Sequence, residues 1–237
     1  MTTTDLTRVA LVTGASRGLG RALAAELVSR GWHVVVDGRD GRRLADAVDA
    51  LVPSAGTLIA VTGDVADPAH RSRLADTVAT MGRLDLLVNN ASVLGPSPQP
   101  RLTDYPLDEL EHVYAVNTIA PLALAQLVLP YVEKSAGVVV NVTSDAAVEA
   151  YEGWGGYGSA KAALDHLSAV LAAERPRLHV YAFDPGDMAT DLQQQAFPGE
   201  DVSDRAAPEA VVPAMLVLVG RTLPSGRYRA SDLAATR

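Results

Sequence analysis

Six short apolar runs recur along this chain, and each is followed by a longer stretch of helical pattern. The runs are Val9–Val12, His33–Val36, Leu58–Val61, Leu84–Val88, Gly137–Val142 and Leu178–Phe183. The intervening patterns cover Gly18–Arg30, Arg42–Val52, Pro68–Met81, Pro106–Glu133, Tyr157–Arg175 and Pro208–Gly220. The runs are nearly continuous in apolar, often β-branched residues rather than alternating. That pattern belongs to strands covered on both faces. Strand–helix alternation then predicts an α/β fold with a doubly wound parallel sheet. No repeat, low-complexity tract or linker divides the 237 residues, so one domain is expected. Gly95–Pro100 reads as a loop within it. Asp191–Pro208 is polar and turn-rich, and is expected to be the mobile segment, a lid.

Composition removes several function classes. A net charge of −8 argues against nucleic acid or an anionic membrane as a partner. With 0 Cys and five scattered His there is no ligand spacing for a metal, and none is expected. Val9–Val12 is too short for a signal-peptide core. The most apolar long stretch, Thr118–Val132, is interrupted by Pro121, Gln126 and Pro130, so no span is expected and a cytoplasmic location is.

The chemistry-bearing residues fall at the ends of the apolar runs. Thr13-Gly14-Ala15-Ser16-Arg17-Gly18-Leu19-Gly20 follows the first run and opens a helix. Glycines there allow a pyrophosphate close to backbone, and the helix N-terminus offers N–H donors. After the second run, Asp37 favours a ribose hydroxyl and hence NAD, whereas Arg39 with Arg17 favours a 2′-phosphate. Asp64-Val65 ends the third run; Asp64 suits an adenine amino group or a turn cap. Asn89-Asn90-Ala91 ends the fourth, where ligands bind in open α/β sheets. Asn117 stands four residues before Pro121, which has no N–H to give its carbonyl, so a kink and a free carbonyl are expected. Ser144 ends the fifth run, and Asp184-Pro185-Gly186 the sixth, followed by Thr190 as a cap or ligand contact. Tyr157 and Lys161 lie one helical turn apart on one face. An ammonium there is expected to lower the phenol pKa and make an acid/base pair.

In this order and spacing, the set resembles the short-chain dehydrogenase/reductase family over residues 9 to about 190. The resemblance implies a Rossmann-type fold and a ketoreductase-like oxidoreductase. It makes Tyr157 the proton donor in carbonyl reduction. Lys161 lowers its pKa and holds the nicotinamide ribose, Ser144 binds the substrate oxygen, and Asn117 holds a proton-relay water. Gly14, Ser16, Arg17, Gly18, Leu19 and Gly20 would cradle the cofactor, with Arg39 on its 2′-phosphate. Asp64, Val65, Asn89 and Ala91 would line its adenosine side. Pro185, Gly186 and Thr190, with Tyr157 and Lys161, would line its nicotinamide side. Gly38 rather than Asp37 stands at the family's NAD-selective position, so NADPH/NADP+ is expected over NADH. A homodimer or homotetramer is a further family-level expectation. The chain departs from the pattern at Ser92, where the family has Gly. It departs again at Asp145, and at Ser225–Arg229, which replaces a C-terminal Asp-Gly-Gly but still suits an edge strand. The substrate walls, with Val93, Leu94, Tyr151, Trp154, Met188 and Phe197, suit a fairly apolar small-molecule carbonyl or alcohol. An NAD-linked alcohol dehydrogenase and a cofactor-binding regulator without turnover are the alternatives.

Overall fold

A computed structural model describes residues 7–50 and 56–234. Seven strands form one sheet in the order β3-β2-β1-β4-β5-β6-β7. They are β1 (Val9–Val12), β2 (His33–Gly38), β3 (Thr57–Thr62), β4 (Leu86–Asn89), β5 (Val138–Val142), β6 (His179–Asp184) and β7 (Gly226–Arg229). Every pairing is parallel. The helices are α1 (Gly18–Ser29), α2 (Gly41–Asp49), α3 (Pro68–Met81), α4 (Leu107–Tyr114), α5 (Ala120–Lys134), α6 (Gly155–Glu174), α7 (Asp191–Ala196), α8 (Pro208–Val219) and α9 (Ala230–Ala234). This is the doubly wound, Rossmann-type α/β domain that the alternation predicts. The end of the second helical pattern, at Leu51 and Val52, lies outside the described residues.

Successive strand residues feed opposite layers, which explains why the runs are apolar throughout. Ala10, Val12, Val34, Val36, Val138 and Val140 pack with Leu23 and Leu27 of α1 and Met215 and Leu218 of α8. Val9, Leu11, Val35 and Val139 pack with Leu74 and Val78 of α3 and Leu124, Val128 and Val132 of α5. Side-chain caps set the starts of α2 and α3. Asp40 accepts from the Arg42 and Arg43 N–H groups at 3.0 and 3.1 Å. Asp67 accepts from Ala69 N–H at 2.9 Å, with Pro68 in the first turn of α3.

The pattern from Pro106 to Glu133 is one rod in outline but contains a break. Between α4 and α5, Ala115–Ile119 forms a π-helical turn. Pro121 supplies the reason: it cannot donate to residue 117, and one wide turn accommodates the missing bond. Leu107–Lys134 is long and apolar enough to cross a membrane by composition, with mean hydropathy 1.5. Half of its most apolar window is buried against the domain, so it serves as a core helix. β7 is only partly buried, as befits an edge.

Candidate active site

The order of strands reverses between β1 and β4, and a cleft of about 640 Å3 opens over the carboxyl ends of the sheet. It runs from Arg39 at the end of β2 to Thr190 beyond β6. Gly14, Ser16, Arg17, Gly18, Leu19, Arg39, Asp64, Val65, Ala91, Ser144, Tyr157, Lys161, Pro185, Gly186 and Thr190 all line it. Three expected residues do not. Gly20 is a packing glycine: a Cβ there would sit 2.5 Å from Asn90 Nδ2 and 2.7 Å from the Gly14 carbonyl. Asn89 turns into the sheet, donating to Asn141 Oδ1 at 2.7 Å, and its neighbour Asn90 lines the cleft in its place. Asn117 sits behind the wall. Its Oδ1 accepts from Val93 N–H (2.9 Å) and Ser92 Oγ (3.2 Å), and its Nδ2 donates to Val93 O (2.8 Å).

At the nucleotide end, α1 begins without a side-chain cap, which leaves its first N–H groups facing the cleft. Gly14 in the turn before it and Gly18 at its first position hold φ of 67° and 57°. Asp37 is almost fully buried. Its Oδ1 accepts from Gly14 N–H at 2.6 Å and its Oδ2 lies 3.0 Å from Nε2 of buried His70. Thus the acid that would read a ribose hydroxyl instead braces the glycine turn from below. Arg39 remains on the cleft wall and makes no ion pair among the described residues. Arg17 also lines the cleft, with its guanidinium on Asp191 at the start of α7. Asp64 both lines the cleft and closes a turn on Ala66 N–H at 2.8 Å. Uncapped helix, glycine turn and cationic rim together fit a phosphorylated dinucleotide.

At the other end, Tyr157 and Lys161 project from α6 into the cleft, both buried. Lys161 Nζ donates to Val142 O at 2.8 Å and lies 5.5 Å from the Tyr157 ring centroid. The expected lowering of the Tyr157 pKa is not what the surroundings produce. Burial pushes it up to about 12, and the Asp145 and Asp184 charges add to the rise. The neighbouring Ser92 and Ser144 hydroxyls oppose it without prevailing. Burial likewise pushes Lys161 down to about 8, against the pull of Asp165. Desolvation dominates because Leu94, Ala146 and Trp154 pack around the phenol.

Ser144 donates to Asp145 Oδ1 at 2.9 Å. Gly158 lets α6 approach it: a Cβ there would stand 2.5 Å from the Ala146 carbonyl. Two tethers escaped the sequence reading. Arg227 of β7 donates from Nε to Asp165 (3.0 Å) and from Nη2 to Asp184 (3.0 Å) and the Ser144 carbonyl (2.9 Å). It therefore ties the ends of β5 and β6 to α6. An arginine inside the C-terminal segment is the only sequence signal of it. The second tether is a pairing of Met188 with Ala206, with Ala189 N–H donating to Ala206 O at 2.9 Å. It pinches both ends of the 190–205 excursion together. Thr190 caps α7 there, accepting from Gln193 N–H at 3.3 Å.

A doubly wound parallel sheet, one large cleft at its carboxyl edge and a buried Tyr–Lys pair in that cleft define a class, the Rossmann-type oxidoreductases. The family described as short chain dehydrogenase matches residues 8–201. Sepiapterin reductase of Mus musculus is 37% identical over 202 residues, 79% of this chain and 77% of that one. The 7alpha-hydroxysteroid dehydrogenase of Escherichia coli K12 is 32% identical over 188 residues, 78% of this chain and 72% of its own. A short chain dehydrogenase from Shigella flexneri, solved in complex with NADP, superposes with a TM-score of 0.88 at 28% identity, covering 96% of this chain and 99% of that one. The chain belongs to the short-chain dehydrogenase/reductase family and is an oxidoreductase.

Proposed function

We propose that the protein reduces a ketone or aldehyde of a fairly apolar small molecule with NADPH, Tyr157 giving the proton. The observation that carries this reading is the placement of the pair: Tyr157 and Lys161 are buried together on α6 at one end of the cleft, with Arg17 and Arg39 on the rim at the other. A phenol there can give its proton to a carbonyl oxygen while the ammonium beside it stabilises the phenolate left behind. NADP in the Shigella flexneri relative, and Arg39 with Arg17 on the rim, support NADPH over NADH. When bound, the nicotinamide supplies the hydride.

The chain's own residues do the rest. The substrate oxygen accepts from the Tyr157 hydroxyl and, once Ser144 turns away from Asp145, from Ser144. Lys161 keeps one N–H on Val142 O and has two for a ribose hydroxyl and the phenol oxygen. The Asn117 carbonyl, freed by Pro121, accepts from a water that returns the proton. Segment 191–208 closes as the lid. Exposed Leu107, Ile119, Leu127 and Val170 on α4 to α6 support a homodimer or homotetramer built on those helices. Leu127→Glu should then lower the mass found by sedimentation.

The test is a panel of ketones mixed with protein and NADPH, followed at the nicotinamide absorbance band. Consumption is expected, with Tyr157→Phe losing turnover while still binding NADPH. Turnover retained by that variant would remove Tyr157 from the role. Tighter binding of NADH than NADPH would favour the NAD-linked alternative.

A further inference from the structure

The arginines lining the cleft are gathered at one end. Arg17, Arg21 and Arg39 all lie in the glycine turn, at α1 or at the end of β2. Lys161 lies beneath Tyr157. Around Tyr157 the described lining residues include the carboxylates of Asp145, Asp184 and Asp187, and no arginine or lysine other than Lys161. Arg205, stacked on Phe197, and Arg229 stand near this end, but each is engaged by acids of its own: Glu200 and Asp204 for the first, Glu149 and Asp184 for the second.

Asp145 is half-buried and immediately follows Ser144. Its Oδ1 accepts from Ser144 Oγ (2.9 Å) and Ala146 N–H (2.8 Å), and its Oδ2 accepts from Tyr151 OH (3.1 Å). A carboxylate can accept about four hydrogen bonds, so one site is open. A second opens when Ser144 turns its only proton toward a substrate carbonyl. The motion that engages the carbonyl therefore leaves Asp145 short of donors. Beside it, Trp154 stacks edge-on with Tyr151 (6.4 Å) and Tyr157 (5.9 Å) and tilts against Phe197 (6.0 Å). Aromatic faces beside a carboxylate suit a cation.

We propose that Asp145 is the specificity residue of this cleft and that it selects aminoketones, carbonyl compounds with a protonated nitrogen two or three bonds from the carbonyl carbon. Ser144 Oγ and Asp145 Oδ1 are 2.9 Å apart. A carbonyl oxygen on the first and a nitrogen on the second are then separated by the reach of such a molecule. The nitrogen replaces the donor that Ser144 withdraws, and its hydrocarbon substituents lie on Trp154. This rests on the carbonyl-reductase reading above.

The test compares a β-dimethylamino ketone with its isostere in which CH replaces the protonated nitrogen, both with NADPH. The ratio of kcat/KM should favour the amine at least about tenfold in the wild type, the smallest preference expected of a charge-assisted hydrogen bond. It should fall to near one in Asp145→Asn and persist in Asp145→Glu. A ratio near one in the wild type, or one unchanged in Asp145→Asn, overturns the proposal while leaving carbonyl reduction standing. Binding of the matching amino alcohol, read by quenching of Trp154 fluorescence, needs no turnover. Quenching in the wild type and its loss in Asp145→Asn support the selection even if neither ketone is reduced, a result that would remove only the reductase reading. Equal quenching in both proteins overturns it.

Discussion

Arg227→Met tests whether the last strand holds the catalytic end of the sheet together. The change keeps an apolar stem and removes three donors at once. Asp184, almost fully buried, keeps Gly186 N–H at 3.0 Å and Arg229 at 3.7 Å. Removing one partner of a fully buried pair costs roughly 3–5 kcal/mol. Arg227 is about a quarter exposed and Arg229 substitutes in part, so about 2–3 kcal/mol is the expected loss. For a chain of this size that lowers Tm by about 4–12 °C. The dependence on pH is more discriminating. Burial raises the Asp165 pKa and Arg227 opposes the rise, so removing Arg227 raises it further. A carboxylate with a raised folded pKa is penalised only where it must ionise. The penalty is absent below the unfolded value and grows as pH climbs through it. The Tm deficit should thus be larger near pH 8 than near pH 4.5, measured by circular dichroism at both. A deficit under about 2 °C, or one equal at the two pH values, would refute the proposed tether.

Gly158→Ala should press α6 away from the Ala146 carbonyl and cost about 1–3 kcal/mol, lowering kcat more than it raises KM for NADPH; unchanged kcat would mean the approach is not critical. Lys161→Met should abolish turnover yet raise Tm at pH 7, because the folded chain holds this lysine at about 8, well under its unfolded 10.5. The folded state therefore penalises the charge, by about 2 kcal/mol after allowing for the lost bond to Val142, and the gain should fade as pH rises from 8 through 10.5. Arg39→Ala should weaken NADPH binding about 10–100-fold and NADH binding little, as judged by titration. Asp191→Asn, which releases Arg17, should tighten NADPH binding in the same assay.

The architecture is legible because each buried strand announces itself by an unbroken apolar run, and because the site lies where those runs end. Gly14, Ser144 and Gly186 line the cleft because each stands just past the end of a run. Long-range polar contacts leave no such pattern. His70 meets Asp37 from 33 residues away, and Arg227 meets Ser144 from 83. The spacing of Tyr157 and Lys161 predicts a shared helix face, which α6 provides, but it carries no information on the burial that pushes the phenol's pKa up. Spacing reports proximity, whereas the shift follows depth, which Leu94 and Trp154 supply from distant segments. Asn89 illustrates the same limit. Strand ends present side chains alternately to the cleft and to the sheet, and adjacent asparagines cannot both face one way.

The pairing of Met188 with Ala206 has a consequence for how this chain can change over generations. Residues 190–205 leave and re-enter the domain at one narrow neck, so their length and composition are uncoupled from the register of the sheet. Doubling such a loop costs only about 0.6 kcal/mol in closure entropy. The stretch of cleft wall between residues 190 and 205 can therefore be exchanged as a cassette, while the glycine turn, braced from below by Asp37 and His70, stays as it is.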